Sequence, residues 1–240
     1  PLHPNKNKRL QPHHGRQSKR NANFSRKDKN HFGGKKMRVA SVERKTKETD
    51  ISLSLKLDGT GAASVSTGIG FFDHMLTGFG KHGFFDLDLA VKGDLEVDGH
   101  HTVEDTGIVL GNAIKEAIGD KVGIKRFGYF ILPMDETLVL CAIDLSGRPY
   151  LNFQAEFPIG KLDDFDTEMF REFFYALSYS AAMNLHLKVL DAGNNHHMAE
   201  ALFKAFGKAL DEATSKMDTK TEKVLQELTK EMIKDKTLII

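Results

Sequence analysis

The chain has 240 residues and a formal net charge of +1, with 40% hydrophobic and 28% charged residues. These values fit one large globular domain or two small ones, and they exclude a collagen-like or low-complexity chain. No apolar run approaches the roughly 20 residues needed to cross a bilayer, and the polar, basic N-terminus shows no secretory signal.

The first 36 residues form a basic extension. Their lysines and arginines, from Lys6 to Lys36, face a single acid, Asp28, and apolar residues are sparse. Such a segment is expected to be disordered, because it cannot offset its ordering entropy by burial. A nucleic-acid arm is one reading. A dispensable extension is preferred, with Met37 as a candidate start, so neither nucleic acid nor membrane is an expected partner.

Met37-Arg38-Val39 opens the first strand-like run. Ile51, Leu53, Leu55 and Leu57 alternate with polar residues and stop at Asp58-Gly59, which predicts a half-buried strand ending in a turn. Phe85, Leu87, Leu89 and Val91 predict a second such strand. The spacing of Ile108, Ala113, Ile114, Ala117 and Ile118 predicts a helix over 107–118. Strands are expected over 137–145 and 150–157, joined through Ser146-Gly147-Arg148-Pro149. Cys141, the single cysteine, lies inside the first of these and reads as a core residue. A disulfide framework is excluded, which fits a reducing cytoplasm. Phe170, Phe173, Phe174 and Leu177 mark a helix over 167–183, and Leu185, Leu187 and Val189 mark another strand. His186 on that strand reads as a surface or packed residue. Leu202, Phe203, Phe206 and Leu210 place a helix over 196–210. After Ala213, Val224, Leu225, Leu228 and Ile233 suggest a divergent, amphipathic C-terminal helix over 214–240.

One internal echo stands out. His100-His101-Thr102-Val103-Glu104 recurs as His196-His197-Met198-Ala199-Glu200. Each copy follows a strand and a turn and leads into an apolar helix, which implies duplication into halves of about 37–125 and 126–213. Strand groups separated by single helices imply an α+β fold, with helices packed on mainly antiparallel sheet.

On a helix, residues i and i+4 share a face, so Glu104 can approach a cation together with His100 or His101. Adjacent histidines point about 100° apart and suit two separate ions. His74 and Glu172 could complete the ligand sets. Imidazole with carboxylate and no thiolate fits Mn(II) best, with Zn and Fe open. A single His-His-x-x-Glu is weak grounds for a metal; two copies in matching contexts are strong grounds. Arg126 and Arg148 could grip phosphate, and Lys204 shares a helix face with Glu200. Taken singly, each of these cations reads as ordinary surface charge.

At these residues the chain resembles the imidazoleglycerol-phosphate dehydratases. The resemblance is carried by Arg44-Lys45-Thr46-Lys47-Glu48-Thr49, Gly70-Phe71-Phe72-Asp73-His74-Met75-Leu76, residues 98–105, Arg126-Phe127-Gly128, Asp135-Glu136, Ser146-Gly147-Arg148-Pro149 and residues 196–206. It implies two similar halves with helices sandwiched between two sheets, of the ribosomal protein S5 domain 2-like type, and a homo-oligomer of 24 chains built from trimers. It also implies two Mn(II) per site, one held by His74, His101, Glu104 and His196, the other by His100, Glu172, His197 and Glu200. Glu48, His82, Arg126, Arg148 and Lys204 would contact substrate, and Glu48 would transfer the proton. The implied reaction, a step of histidine biosynthesis, removes water from imidazole-glycerol phosphate to give imidazole acetol phosphate, with the imidazole ring accepting electrons as C–H breaks. Many relatives carry histidine in place of Glu172, and the Ser-Lys-Gly loop near their C-terminus is not recognisable here. Ser215-Lys216 and Thr219-Lys220 are the candidates for it. The alternatives are a dinuclear-metal hydrolase and an inactive metal-binding assembly protein.

Overall fold

The computed structural model describes residues 37–217 and Glu227. The basic extension, Thr219-Lys220 and the helix expected over 214–240, apart from residues 214–217 and Glu227, lie outside the described residues.

The first half runs β1 (Val39–Lys45), β2 (Thr49–Lys56), β3 (Ala63–Ser66), α1 (Gly70–His82), β4 (Asp86–Gly93) and α2 (His100–Ile118). The second runs β5 (Phe127–Met134), β6 (Thr137–Asp144), β7 (Tyr150–Gln154), a small hairpin of β8 (Lys161–Leu162) and β9 (Phe165–Asp166), α3 (Met169–Ala181), β10 (Asn184–Asp191) and α4 (Asn195–Thr214). The two sheets have the orders β1-β2-β4-β3 and β5-β6-β10-β7. Replacing β1, β2, β3 and β4 by β5, β6, β7 and β10 converts one into the other. Both keep a single parallel pair, β3 with β4 and β7 with β10. The duplication inferred from two short motifs therefore extends to the topology, and among the described residues only the β8–β9 hairpin has no counterpart.

Alternation along β2 works as expected. Ile51, Leu53 and Leu55 are buried while Asp50 and Ser52 are exposed. Helices α1 to α4 lie between the sheets: α2 packs on β1 and β2, α4 on β5 and β6, and the layers join through α2 with α3 and α1 with α4. The α2–α3 approach needs glycine. A Cβ on Gly107 would stand 2.7 Å from Phe173 O, and one on Gly111 would stand 2.5 Å from Leu177 O. Phenylalanines fill the layer between the helices. Phe173 stacks on Phe203 at 5.3 Å and Phe79 on Phe206 at 5.2 Å, and each buried ring contributes roughly 1.5–3 kcal/mol. Cys141 is fully buried, as expected, and burial pushes its thiol up out of the reactive range.

Several boundaries move. The helix expected from residue 107 starts at His100, because its first turn is polar and carries no apolar period. The strand expected over 150–157 stops at Gln154. The second half stays paired beyond residue 213: Lys125 N–H donates to Ser215 O at 3.0 Å, and Ile124 bridges Lys216. Among the described residues, no helix is long and apolar enough to cross a membrane.

Candidate metal centre

The two His-His-x-x-Glu segments open α2 and α4 and are held there alike. Asp98 Oδ1 accepts the His100 amide at 2.8 Å, and Asn194 Oδ1 accepts the His196 amide at 2.8 Å. These side chains satisfy amides that a helix start leaves without partners. The rings within each pair diverge: His100 and His101 have centroids 6.3 Å apart at 89°, and His196 and His197 are 6.5 Å apart at 89°.

The fold brings α1 onto the start of α4. Phe71 meets His196 edge-on at 5.4 Å, and the His74 and His196 rings are 5.7 Å apart. Glu200 lies between them, its Oε2 at 3.4 Å from His196 Nε2 and 3.8 Å from His74 Nε2. One ligand atom from each of His74, His196 and Glu200 falls within a 4.8 Å group, close enough to hold a cation. His74 and His196 were assigned to the same ion, and they meet within one chain. Glu200, assigned to the other ion, meets them too. Lys204 Nζ binds the second Glu200 oxygen at 2.7 Å. Burial alone would raise the Glu200 pKa, but the Lys204 hydrogen bond and nearby positive charge outweigh it and hold the carboxyl below its usual range.

The mirror-image contact places α3 against the start of α2, where a Cβ on Gly99 would stand 3.5 Å from the Met169 side chain. Glu172, on the first turn of α3, pairs with Arg171 at 3.4 Å. Aligning buried Phe72, Met75 and Leu76 of α1 with buried Phe170, Phe173 and Phe174 of α3 makes Glu172 the counterpart of His74.

The outer histidine of each pair meets a carboxylate. His101 Nδ1 donates to Asp94 Oδ2 at 2.9 Å, which raises the His101 pKa. His197 Nδ1 lies 3.2 Å from both oxygens of Glu136. The Asn194 amide, ahead of other contacts, holds Glu136 below the usual carboxylate range. Asp135, Glu136 and His197 form a second group of possible ligands. Neither Asp94 nor Glu136 was given a site role, although Asp135-Glu136 is one of the segments that carry the family resemblance; an acid in a turn carries no sequence period that would mark it.

Glu48 sits in the β1–β2 turn, which is fixed to α2. Thr46 Oγ1 accepts the amides of Glu48 and Thr49 at 3.1 and 2.9 Å. Thr49 Oγ1 then donates to Asp105 Oδ2 at 2.5 Å, and Arg44 Nη2 donates to Asp105 Oδ1 at 2.8 Å. The Glu48 charge reaches His101 and helps raise its pKa. His82 is lowered, first by burial and then by Lys204, Lys208 and Lys81, so it stays neutral near pH 7.

Arg126 and Arg148 lie elsewhere. Arg126 precedes β5 and pairs with Asp144 at 2.7 Å, whereas Glu136, against His197, follows the far end of that eight-residue strand. At about 3.3 Å per residue the separation is roughly 26 Å. Arg148 is exposed in the β6–β7 turn at the Arg126 end. Ser215-Lys216 is engaged in closing α4, with Ser215 Oγ donating to Glu212 O at 2.7 Å. His186 packs beside Tyr150 on β10, with ring centroids 5.6 Å apart, away from both His-His pairs.

Comparison with known proteins gives the family of the chain. The family profile described as imidazoleglycerol-phosphate dehydratase matches residues 67–210. The chain is 67% identical over 188 residues to the imidazoleglycerol-phosphate dehydratase of Lachnoclostridium phytofermentans, covering 78% of this chain and 95% of that one. It is 59% identical to the enzyme of that name from Acetivibrio thermocellus, over 75% of this chain and 93% of that one. The crystal structure of imidazoleglycerol-phosphate dehydratase from Staphylococcus aureus superposes with a TM-score of 0.68 at 38% identity, covering 75% of this chain and 99% of that one. The chain therefore belongs to the imidazoleglycerol-phosphate dehydratase family.

Proposed function

We propose that this chain is an imidazoleglycerol-phosphate dehydratase, a hydro-lyase that eliminates water from D-erythro-imidazole-glycerol phosphate in histidine biosynthesis. The observation that carries the reading is the meeting of His74, His196 and Glu200 at one point, within a family whose named members act as this dehydratase.

The donor set is imidazole and carboxylate without thiolate, which fits Mn(II). His74, His100, His101, Glu104, Glu172, His196, His197 and Glu200 would hold two ions. When bound, these would supply positive charge beside the substrate ring nitrogens, where negative charge builds as C–H breaks. Glu48 takes the carbon-bound proton in this reading, and the turn that carries it is tied to α2 through Thr49 and Asp105, which supports a base mounted on a fixed backbone. His82, kept neutral by burial and neighbouring lysines, is suited to a hydrogen bond with substrate. Arg126, Arg148 and Lys204 bind the phosphate.

Arg126 and the His197 end of α4 stand about a strand length apart, so one chain cannot gather all these groups around a small substrate. A site shared between copies of the chain resolves this and supports a homo-oligomer, in this reading 24 chains built of trimers, acting in the cytoplasm.

The test is a direct assay of residues 37–240 with imidazole-glycerol phosphate. Product should form, EDTA should abolish it and Mn(II) should restore it. Metal-restored hydrolysis of other phosphate esters without dehydration would replace this reading with a dinuclear hydrolase.

A further inference from the structure

Duplication gives the β1–β2 turn a counterpart in the β5–β6 turn. In the first, Thr46 N–H donates to Thr49 O at 2.8 Å; in the second, Met134 pairs with Thr137. Thr49 and Thr137 are both buried, at 3% and 1% exposure. The residue just before each threonine is a glutamate, Glu48 in one turn and Glu136 in the other. The two glutamates are therefore duplicates; the Glu48 charge reaches His101, but the hydrogen-bond partner of His101 Nδ1 is Asp94.

Glu136 reaches across to the start of α4. Its Oε1 accepts the Asn194 amide at 2.5 Å, and both its oxygens stand 3.2 Å from His197 Nδ1. The approach depends on Gly193, where any Cβ would collide with the Glu136 carboxylate. In the first half the equivalent ring, His101, takes its Nδ1 partner from a different place: Asp94, just after β4, at 2.9 Å. The same ring atom thus receives a carboxylate in both halves, from positions that are not related by the duplication. Common descent explains shared residues, but it does not explain the same contact reached by two routes. A shared requirement of the outer histidine does.

The chemistry supplies that requirement. A neutral imidazole binds a cation through one nitrogen, and a carboxylate on the other nitrogen selects the tautomer, fixes the ring plane and raises the basicity of the ligating atom. We propose that Glu136 is a positioning residue for the metal centre: it accepts the Nδ1 proton of His197 and aims Nε2 at the cation, as Asp94 does for His101, while its duplicate Glu48 serves the substrate. The proposal rests on His101 and His197 being cation ligands.

Mn(II) binding to the full chain, followed by the electron paramagnetic resonance of free Mn(II), tests it. Glu136→Ala should weaken one class of bound Mn(II) by about 10- to 100-fold and leave the apo protein folded. Turnover should return at saturating Mn(II). Glu136→Gln, which can accept a hydrogen bond but carries no charge, should weaken the same class by about 10-fold, and it decides the matter if the alanine variant does not fold. Glu48→Gln should bind Mn(II) like the wild type. Unchanged Mn(II) affinity in both Glu136 variants would overturn the proposal. So would a turnover defect in Glu136→Ala that saturating Mn(II) does not repair. His197→Ala separates the underlying reading from this one. If it retains every Mn(II), the ligand assignment itself fails. If it loses an ion while the Glu136 variants do not weaken, only the role of Glu136 fails.

Discussion

Glu48→Gln is expected to lower kcat by roughly 10²- to 10⁴-fold, the range carried by a placed proton-transfer group, with Mn(II) content and substrate affinity close to wild type. The substitution keeps the size of the side chain and removes its ability to take a proton. The turn around it stays held by contacts that do not involve the Glu48 side chain: Thr46 Oγ1 accepts the Glu48 and Thr49 amides, and Thr49 and Arg44 bind Asp105. Asp105 immediately follows Glu104 on α2, so the turn and the start of α2 share one rigid mount. Steady-state kinetics and a metal count on the same preparation check the expectation. Wild-type-like turnover would remove Glu48 from the proton transfer, and a variant depleted of Mn(II) would move Glu48 into the ligand set.

His196→Ala is expected to be at least as severe, by a different route. His196 is a member of the in-chain group, 5.7 Å from the His74 ring and 3.4 Å from Glu200. Its removal leaves Glu200 paired with Lys204 at 2.7 Å and takes an imidazole donor from the cation. A metal-bound site supplies several kcal/mol of charge stabilisation, so turnover should fall by about 10³-fold or more. Mn(II) stoichiometry, measured after dialysis, should fall as well. The ring's edge contact with Phe71 is a minor part of a core built from many phenylalanines, so thermal stability of the apo protein should change little. A variant with full Mn(II) stoichiometry and normal turnover would remove His196 from the centre.

Residues that face one way at a fixed period were legible in the sequence. β2 and β4 alternate cleanly, and α3 and α4 carry a phenylalanine stripe. α1 was not recognised as a helix, because three glycines, Gly70, Gly78 and Gly80, fall within its 13 residues and glycine disfavours helix. β5 escaped because its pattern is inverted. Gly128 is buried against α4 while Phe127, Tyr129 and Ile131 are exposed, so apolar residues mark the outer face of an edge strand. The paired histidines were legible because the motif occurs twice. Glu136 and Asp94 were not, since each reaches its histidine only after the sheets bring a turn or a strand end to a helix start. Two signals could have exposed Glu136: the Asp135-Glu136 segment is among those that carry the family resemblance, and Glu136 sits in the duplicated turn, where the shared Glu-Thr pair (Glu48-Thr49 and Glu136-Thr137) is too short to stand out.

Two neighbouring rings leaving each helix start at right angles are suited to two separate cations, and anomalous scattering at the manganese edge measures this directly. Crystals loaded with Mn(II) should give two distinct peaks per site, one at each set of ligands, with His100 and His101 on different peaks and His196 and His197 likewise divided. Both rings of a pair on a single peak, or peaks remote from all four rings, would contradict it.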